Sequence, residues 1–161
     1  MNKRSLKIEY LEFESTKHLD QELQDLFALA DCNLENAYAP YSNFKVSAVC
    51  LLSNGELVKG TNQENGAYPS GLCAERVAIF SAKSQFPDEK VIKIVITTEK
   101  TTSIPVSPCG ACRQVLMEYE LSQNQYIEVV MKSGDSKVLQ FKSVSDMLPF
   151  AFDGKFLKEK G

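Results

Sequence analysis

Three cysteines stand where two segments of helix-forming sequence begin. Cys73 opens the string CAERVAIFSAKS, and Cys109 and Cys112 fall in SPCGACR, directly after Pro108. Two residues three apart on a helix lie on one face, so Cys109 and Cys112 can bind one ion. Helix N-termini stabilise anions, and we therefore expect all three thiols to be poised as thiolates.

These cysteines predict a zinc site. Soft thiolate ligands favour zinc, and three protein ligands leave the fourth tetrahedral position open, as in a catalytic site. The chain has one histidine, His18, which excludes sites that need two imidazoles. An odd total of five cysteines argues against a disulfide framework in a chain that we interpret as cytoplasmic. Cys32 and Cys50 fall inside a predicted helix and strand, and we expect both to be small core residues.

Two charged residues follow Cys73 closely in the sequence. Glu75 lies in the same first helical turn, where its carboxylate can accept the proton that a metal-bound water gives up. Three thiolates leave a zinc site with excess negative charge, and Arg76 can offset part of it by bonding to a ligating sulfur. The predicted chemistry is therefore metal-assisted hydrolysis. A first-turn glutamate that complements the helix dipole and a surface arginine are the alternative interpretations.

The elements that position these residues follow from the spacing of apolar residues and from turn signals. Helices are predicted at residues 18–38, 73–84, 109–121 and 144–148. Strands are predicted at residues 6–13, 44–52, 91–98, 126–132 and 137–141. Asn54-Gly55 predicts a hairpin turn between residues 44–52 and the following segment, ELVKGTN.

The order of these elements predicts an α/β fold. Strands separated by single helices imply crossover connections and a sheet covered by helices on both faces, a three-layer α/β/α arrangement. With 161 residues, 43% of them hydrophobic, and no linker-like tract, we expect one domain over residues 1–161. Residues 1–17 form an N-terminal extension to which the sequence assigns no role.

Composition also limits the partners. A net charge of -3 argues against nucleic acid, whose phosphates need a basic face. We expect no membrane span, because no apolar run approaches the ~20 residues that one requires. The first residues, MNKRSLKIEYLEFE, carry charges where a signal peptide needs an apolar stretch, and we therefore expect a cytoplasmic protein.

Four ordered blocks of the sequence resemble one enzyme family. They are AYAPYSNFKV (37–46), GTNQENGAYPSGLCAERVAIF (60–80), SPCGACRQVL (107–116) and LPFAF (148–152). The cysteine blocks resemble the zinc nucleoside deaminase signature in its all-cysteine form. Together the four blocks are similar to the small homotetrameric cytidine deaminases over residues 25–155. The resemblance implies a cytidine deaminase-like fold with a mixed central sheet, and hydrolysis of cytidine and deoxycytidine to the uridines plus ammonia in pyrimidine salvage.

The resemblance implies a role for each residue of the metal site. Cys73, Cys109 and Cys112 would bind Zn²⁺, and Arg76 would temper the charge of the thiolates. A zinc-bound hydroxide would attack C4 of the cytosine ring. Glu75 would carry protons to N3 and to the leaving amine.

The resemblance also implies the substrate contacts. Asn62 and Glu64 would hydrogen-bond the ribose hydroxyls, and Phe44 would line the pyrimidine pocket. The backbone of Ala74 would meet the base, and Phe152 would reach in from a neighbouring subunit of a homotetramer. Glu64 would repel a phosphate, which favours nucleosides over nucleotides. A turn with a solvated neighbour is the alternative for Asn62 and Glu64, and burial in the core is the alternative for the two phenylalanines.

The sequence departs from the family pattern at two positions and leaves other functions open. Ser47 stands where the family usually has glycine, and Gly66 stands where alanine is common. One alternative function is deamination of another small substrate, such as the antibiotic blasticidin S. A dithiol redox protein that uses Cys109-Gly-Ala-Cys112 and a zinc-binding interaction module are the others.

Overall fold

The computed structural model describes residues 1–158, so the last three residues of the predicted 1–161 domain lie outside the described part. Within residues 1–158, six strands form one mixed sheet in the order β1-β6-β5-β4-β2-β3. The strands are β1 (Leu11–Phe13), β2 (Val46–Leu52), β3 (Leu57–Thr61), β4 (Val91–Thr98), β5 (Glu128–Met131) and β6 (Val138–Phe141). The helices are α1 (Gln21–Asn33), α2 (Ala74–Gln85), α3 (Gly110–Ser122) and α4 (Lys155–Lys158).

The connections of the sheet bring two helix N-termini to one edge. Within the described part of the chain, β4 and β5 run parallel and the other neighbouring pairs run antiparallel. Because β3 and β4 flank β2 and are both antiparallel to it, they are parallel to each other. Helix α2 follows β3 and α3 follows β4, so both helices start at the carboxyl ends of parallel strands. Ligands of open α/β sheets bind at this edge.

Helices cover both faces of the sheet, which confirms the predicted three layers. Alternate residues of β2 point to opposite faces. Val49 packs in the core cluster that holds Phe27 of α1. Ala48 and Cys50 pack in the other cluster, together with residues of α2 and α3 such as Ile79. The helices that begin with cysteine-bearing turns therefore share one face.

Two glycines matter to this arrangement. Gly55 has a φ of 86° in the hairpin turn, and the antiparallel pairing of β2 with β3 confirms the predicted hairpin. Gly60 on β3 lies against the backbone of α2, where an added Cβ would come within 2.3 Å of the Ala78 nitrogen and 2.6 Å of the Ala74 carbonyl oxygen. The absence of a side chain at residue 60 therefore lets α2 sit directly on the sheet.

Several predicted boundaries were wrong. Helix α1 is shorter than the predicted 18–38, because Asp20 caps it by accepting a hydrogen bond from the Leu23 N–H (2.9 Å) and the chain tightens into a 3₁₀ turn after Asn33. The predicted helix at 144–148 is a 3₁₀ turn at Val144–Asp146. Helix α4 was not predicted.

The prediction for Cys32 was also wrong, because this residue lies on the exposed side of α1, whereas Cys50 is fully buried as expected. The predicted edge strand at 6–13 is confined to Leu11–Phe13, which pairs with β6. Across residues 1–158, no helix combines the length and the apolar character that crossing a bilayer demands.

Candidate functional site

The cysteine sulfurs meet where α2 and α3 begin. Cys73 is the N-cap residue of α2, Cys109 is the N-cap residue of α3, and Cys112 lies in the first turn of α3. The Sγ atoms of Cys73 and Cys109 are 3.9 Å apart, those of Cys109 and Cys112 are 3.5 Å apart, and all three lie within 4.8 Å of one another. Tetrahedral ligation with Zn–S bonds of 2.3 Å places sulfurs about 3.8 Å apart. The spacing and the soft donor set therefore fit zinc.

The protonation of the thiols differs from the sequence expectation. A hydrogen bond from Cys112, with further contributions from Arg76 and Cys109, lowers the pKa of the Cys73 thiol from 9.0 to about 5. The same hydrogen bond with Cys73 and burial raise the pKa of Cys112, which stays a thiol. The expectation of a poised thiolate therefore fits Cys73 and does not fit Cys112. Metal binding at this group must release a proton.

Glu75 places a buried carboxyl beside the sulfurs. It lies in the first turn of α2 with 5% of its surface exposed, and it lines the cleft described below. Burial raises its pKa above the usual 4.5. A carboxyl with a raised pKa can hold and release a proton near neutral pH, which suits it to general acid–base chemistry.

Arg76 lies against the same sulfurs. Its Nη2 donates a hydrogen bond to the Cys73 Sγ at 3.7 Å. Among the described residues its buried Nε has no hydrogen-bond partner. The guanidinium is therefore placed to draw negative charge from a ligating sulfur, the function that the sequence suggested for it.

A second arginine, which sequence reasoning missed, braces the approach to Cys109. Arg113 donates hydrogen bonds of 2.8 Å to the Pro108 carbonyl, the Met147 carbonyl and the Ser107 hydroxyl. These bonds tie the segment before α3 to the 3₁₀ turn that follows β6. The position of Arg113 directly after Cys112 in SPCGACR is the sequence feature that could have indicated this role.

A cleft of about 740 Å³ opens beside the sulfurs. This volume falls in the range of small-molecule sites. Its walls include the predicted residues Phe44, Asn62, Glu64, Cys73, Glu75, Arg76 and Cys109. Tyr41 and Tyr68 also line the cleft, with their rings 6.1 Å apart in an edge-to-face contact. Sequence reasoning missed these tyrosines, although both fall inside the blocks that carried the resemblance.

Two predicted substrate contacts lie apart from these walls. Ala74 is fully buried at the first position of α2, between Cys73 and Glu75. Phe152 is 61% exposed and lies outside the lining of the cleft of its own chain. The Phe152 carbonyl accepts a hydrogen bond from the Gln114 side chain at 3.1 Å.

The predicted ribose-binding pair also contacts the chain itself. The Asn62 side-chain amide bonds to the backbone on both sides of residue 45, and the Glu64 carboxylate accepts hydrogen bonds from the Tyr41 and Ser42 N–H groups. Hydrogen bonds from the side chain of Ser42 and the backbone of Tyr41 lower the pKa of Glu64. Glu64 is therefore an anion at neutral pH.

Three thiols and a buried carboxyl at the edge of the sheet of this three-layer fold are the arrangement expected of a zinc-dependent hydrolase. Residues 20–128 match the family model described as the cytidine and deoxycytidylate deaminase zinc-binding region. The chain belongs to this family. It is a hydrolytic deaminase with zinc as its cofactor, which argues against the dithiol redox and interaction-module interpretations.

Known proteins from several bacteria are similar to the chain. The cytidine deaminase of Halalkalibacterium halodurans is 38% identical over 125 residues, which cover 78% of this chain and 89% of that protein. The cytidine deaminase of Sporosarcina psychrophila is 38% identical over 132 residues, covering 81% and 91%. The crystal structure of cytidine deaminase from Burkholderia pseudomallei has a TM-score of 0.68 at 40% identity and covers 80% of this chain and 98% of its own.

Proposed function

We propose that the protein hydrolyses cytidine and deoxycytidine to uridine and deoxyuridine, with release of ammonia, as a cytoplasmic step of pyrimidine salvage. The observation that carries this proposal is the buried carboxyl of Glu75 beside three sulfurs, in a cleft large enough for a nucleoside. Relatives named cytidine deaminase support the choice of substrate.

Cys73, Cys109 and Cys112 would hold the zinc ion, and Arg76 would offset the charge of their thiolates. Zinc held there supplies Lewis acidity, which makes water nucleophilic near neutral pH. The short distances among the three sulfurs and the contact from Arg76 support these roles.

Glu75 would move the protons of the reaction. Its carboxylate accepts a proton from the attacking water as the water oxygen bonds to C4, and it delivers that proton to N3 of the ring. The second proton of the water then passes through the same carboxyl to the exocyclic nitrogen. The C4–N bond breaks, ammonia leaves and a carbonyl forms at C4. The raised pKa of Glu75 supports this role, because the group must be both acceptor and donor.

The cleft walls would select a pyrimidine nucleoside. Phe44 would pack on the ring, the Ala74 backbone would meet the base, and Asn62 and Glu64 would bond the ribose hydroxyls. Side chains that hydrogen-bond the hydroxyls of a substrate discriminate against ligands without those hydroxyls, because the hydrogen bonds are then lost. The pair and Phe44 favour a ribose-bearing substrate over blasticidin S.

We further propose that residues 1–161 act as one deaminase domain within a homotetramer. Phe152 would complete the cleft of a neighbouring subunit, and its exposure of 61% supports a contact outside its own chain. Sedimentation of the zinc-loaded protein would measure the assembly, and a monomer at micromolar concentration would contradict this part.

The central experiment compares the wild type with Glu75→Gln by following the absorbance of cytidine while zinc is measured on both proteins. We expect zinc to be retained and turnover to fall by about 10³-fold. Glu118→Gln, an exposed glutamate on α3, is the matched control and should keep wild-type turnover. Turnover that persists in Glu75→Gln would discard the proton-transfer role.

The preference for nucleosides has its own test. Glu64 carries a negative charge in the cleft wall and would repel a 5′-phosphate. We expect cytidine to be deaminated faster than cytidine 5′-monophosphate, with the gap narrowing as salt is added. Equal rates for the two substrates would end this part of the proposal.

A further inference from the structure

The residue proposed to face the base stands on a loop without regular structure. Residues 39–45, the Phe44 loop, connect the 3₁₀ turn at Leu34–Asn36 and its following residues to β2. Asn43 in this loop has a left-handed φ of 50°, and the half-buried ring of Phe44 lines the cleft. Because no strand ladder runs through residues 39–45, other contacts must fix the position of the ring.

Asn62 supplies two of these contacts. Its Oδ1 accepts a hydrogen bond from the Val46 N–H, and its Nδ2 donates one to the Phe44 carbonyl, both at 2.8 Å. The Asn62 backbone N–H also donates to the Val46 carbonyl at 3.2 Å. An amide side chain has four hydrogen-bonding positions, so Asn62 keeps one acceptor and one donor position for a ribose hydroxyl.

Glu64 holds the first half of the same loop. Its Oε2 accepts hydrogen bonds from the Tyr41 N–H at 2.9 Å and the Ser42 N–H at 3.2 Å. The Ser42 hydroxyl in turn accepts a hydrogen bond from the Phe44 N–H at 3.1 Å. The carboxylate is thus linked to the backbone of Phe44 through one intermediate residue.

Between them, two side chains of one short segment contact the backbone on both sides of Phe44. We propose that Asn62 and Glu64 are positioning residues for Phe44, which fix its ring for the pyrimidine before a substrate arrives, in addition to any ribose contact. The inference rests on the proposed function for the identity of the ligand. It predicts that loss of either side chain weakens the binding of a pyrimidine nucleoside that lacks the 2′- and 3′-hydroxyls.

The first test measures the mobility of the side chain at position 44 in the absence of a ligand. The chain contains no tryptophan, so Phe44→Trp places a single fluorescent reporter at this position. We expect Asn62→Ala and Glu64→Ala to lower the anisotropy of this tryptophan in the zinc-loaded protein. Glu64→Gln keeps an oxygen acceptor for the two N–H groups and should keep the anisotropy. Gln63→Ala is the matched control, because that side chain bonds to Thr61 and Asn36 instead.

The second test measures binding of 2′,3′-dideoxycytidine to the zinc-loaded protein by calorimetry, with the natural Phe44. If Asn62 only contacted the 2′- or 3′-hydroxyl, this Kd would stay unchanged when Asn62 is replaced, whereas positioning predicts a rise of about tenfold for Asn62→Ala. Glu64→Ala should show the same direction, and Glu64→Gln should restore the wild-type Kd. Rescue by glutamine separates positioning from the loss of a charge.

An unchanged anisotropy or an unchanged Kd in the alanine variants would overturn the proposal. Should Asn62→Ala fail to fold, as judged by its melting temperature, Glu64→Ala and Glu64→Gln give the same two readings. Neither measurement depends on turnover. A wild type that binds no pyrimidine nucleoside would refute the proposed function, while the anisotropy would still report whether the two side chains hold Phe44.

Discussion

The metal side and the substrate side of the cleft are held in place by different kinds of contact. Cys73, Glu75 and Cys112 stand at the starts of two helices whose apolar faces pack in one core cluster. Phe44 stands on a loop whose backbone is held by hydrogen bonds with the side chains of Asn62 and Glu64. The first arrangement derives its rigidity from apolar packing, and the second from a few hydrogen bonds that water can replace.

This difference suggests a division of labour. Groups that must meet one ion within tenths of an ångström are on regular elements, where a shift would disturb many neighbours. A wall that must admit and release a substrate is on a loop, where local opening costs less free energy. Substitutions on the metal side should change zinc content and turnover number, whereas substitutions on the substrate side should change KM at constant zinc content.

The largest effect is expected for Cys112→Ala, which removes the buried sulfur of the group. We expect zinc to fall well below one ion per chain and turnover to fall by about three orders of magnitude. Metal analysis and the cytidine assay measure this. Cys32→Ala, at an exposed cysteine away from the group, is the control. A Cys112→Ala protein that keeps one zinc ion per chain would contradict the expectation that substitutions on the metal side lower the zinc content.

A smaller effect is expected for Arg76→Gln, because Arg76 touches a ligand sulfur rather than the ion. Loss of such a supporting contact typically costs 10- to 100-fold in metal affinity or activity, and we expect about tenfold in turnover number. Competition with a chelator and steady-state kinetics measure the two quantities. If the zinc affinity and the turnover number were both unchanged, Arg76 would have no role in the metal site.

On the substrate side, Phe44→Ala should raise the KM for cytidine about tenfold, because the ring face loses its packing partner. We expect the zinc content to stay at the wild-type level. Steady-state kinetics with zinc analysis on the same preparation would check both. A loss of zinc in this variant would show that the two sides of the cleft are coupled.

The last effect is on stability and leaves turnover unchanged, and it concerns the core that supports the metal side. Burial raises the pKa of the Cys50 thiol from 9.0 to about 12. Between these values the unfolded chain loses this proton while the folded chain keeps it, so the free energy of unfolding falls as pH rises. One group contributes at most about 1.4 kcal/mol per pH unit to this slope. We expect Cys50→Ala to flatten the decline in denaturant titrations from pH 9 upward, with Cys32→Ala as control.

An equal slope in Cys50→Ala and the control would mean that the core around β2 opens enough to hydrate the thiol. Helices α2 and α3 would then not rest on a closed core, and the metal side would be less rigid than we infer. A flattened slope would sharpen the contrast, because it would show a closed core directly beneath the metal side.

The sequence predicted the metal side better than the substrate side, for a physical reason. Residue type and spacing alone indicated Cys109, Cys112 and a helix start, and the apolar pattern of VIKIVITT predicted β4 with its observed ends. These are local properties. The convergence of Cys73 with Cys109 depends on the parallel order of β3 and β4, which the predicted crossover connections imply but the spacing of the cysteines does not.

Other features depend on contacts between distant segments and were out of reach. The bracing by Arg113 depends on where the turn at Val144–Asp146 lies. The raised pKa of Cys112 depends first on its hydrogen bond with Cys73, which lies on another helix, and then on burial. Cys32 satisfied the expectation for a small apolar residue in a helix, but the phase of α1 placed it toward solvent.

The close seating of α2 on Gly60 constrains any redesign of this protein. An added methyl group at that position would meet the helix backbone, and the least disruptive response is to lift α2 from the sheet. Cys73 and Glu75 would rise with it, while Cys109 on α3 would stay behind. Efforts to admit bulkier nucleosides can therefore vary the Phe44 loop on the other side of the cleft. Residue 60 must remain glycine, because the three sulfurs keep their spacing only while α2 lies directly on the sheet.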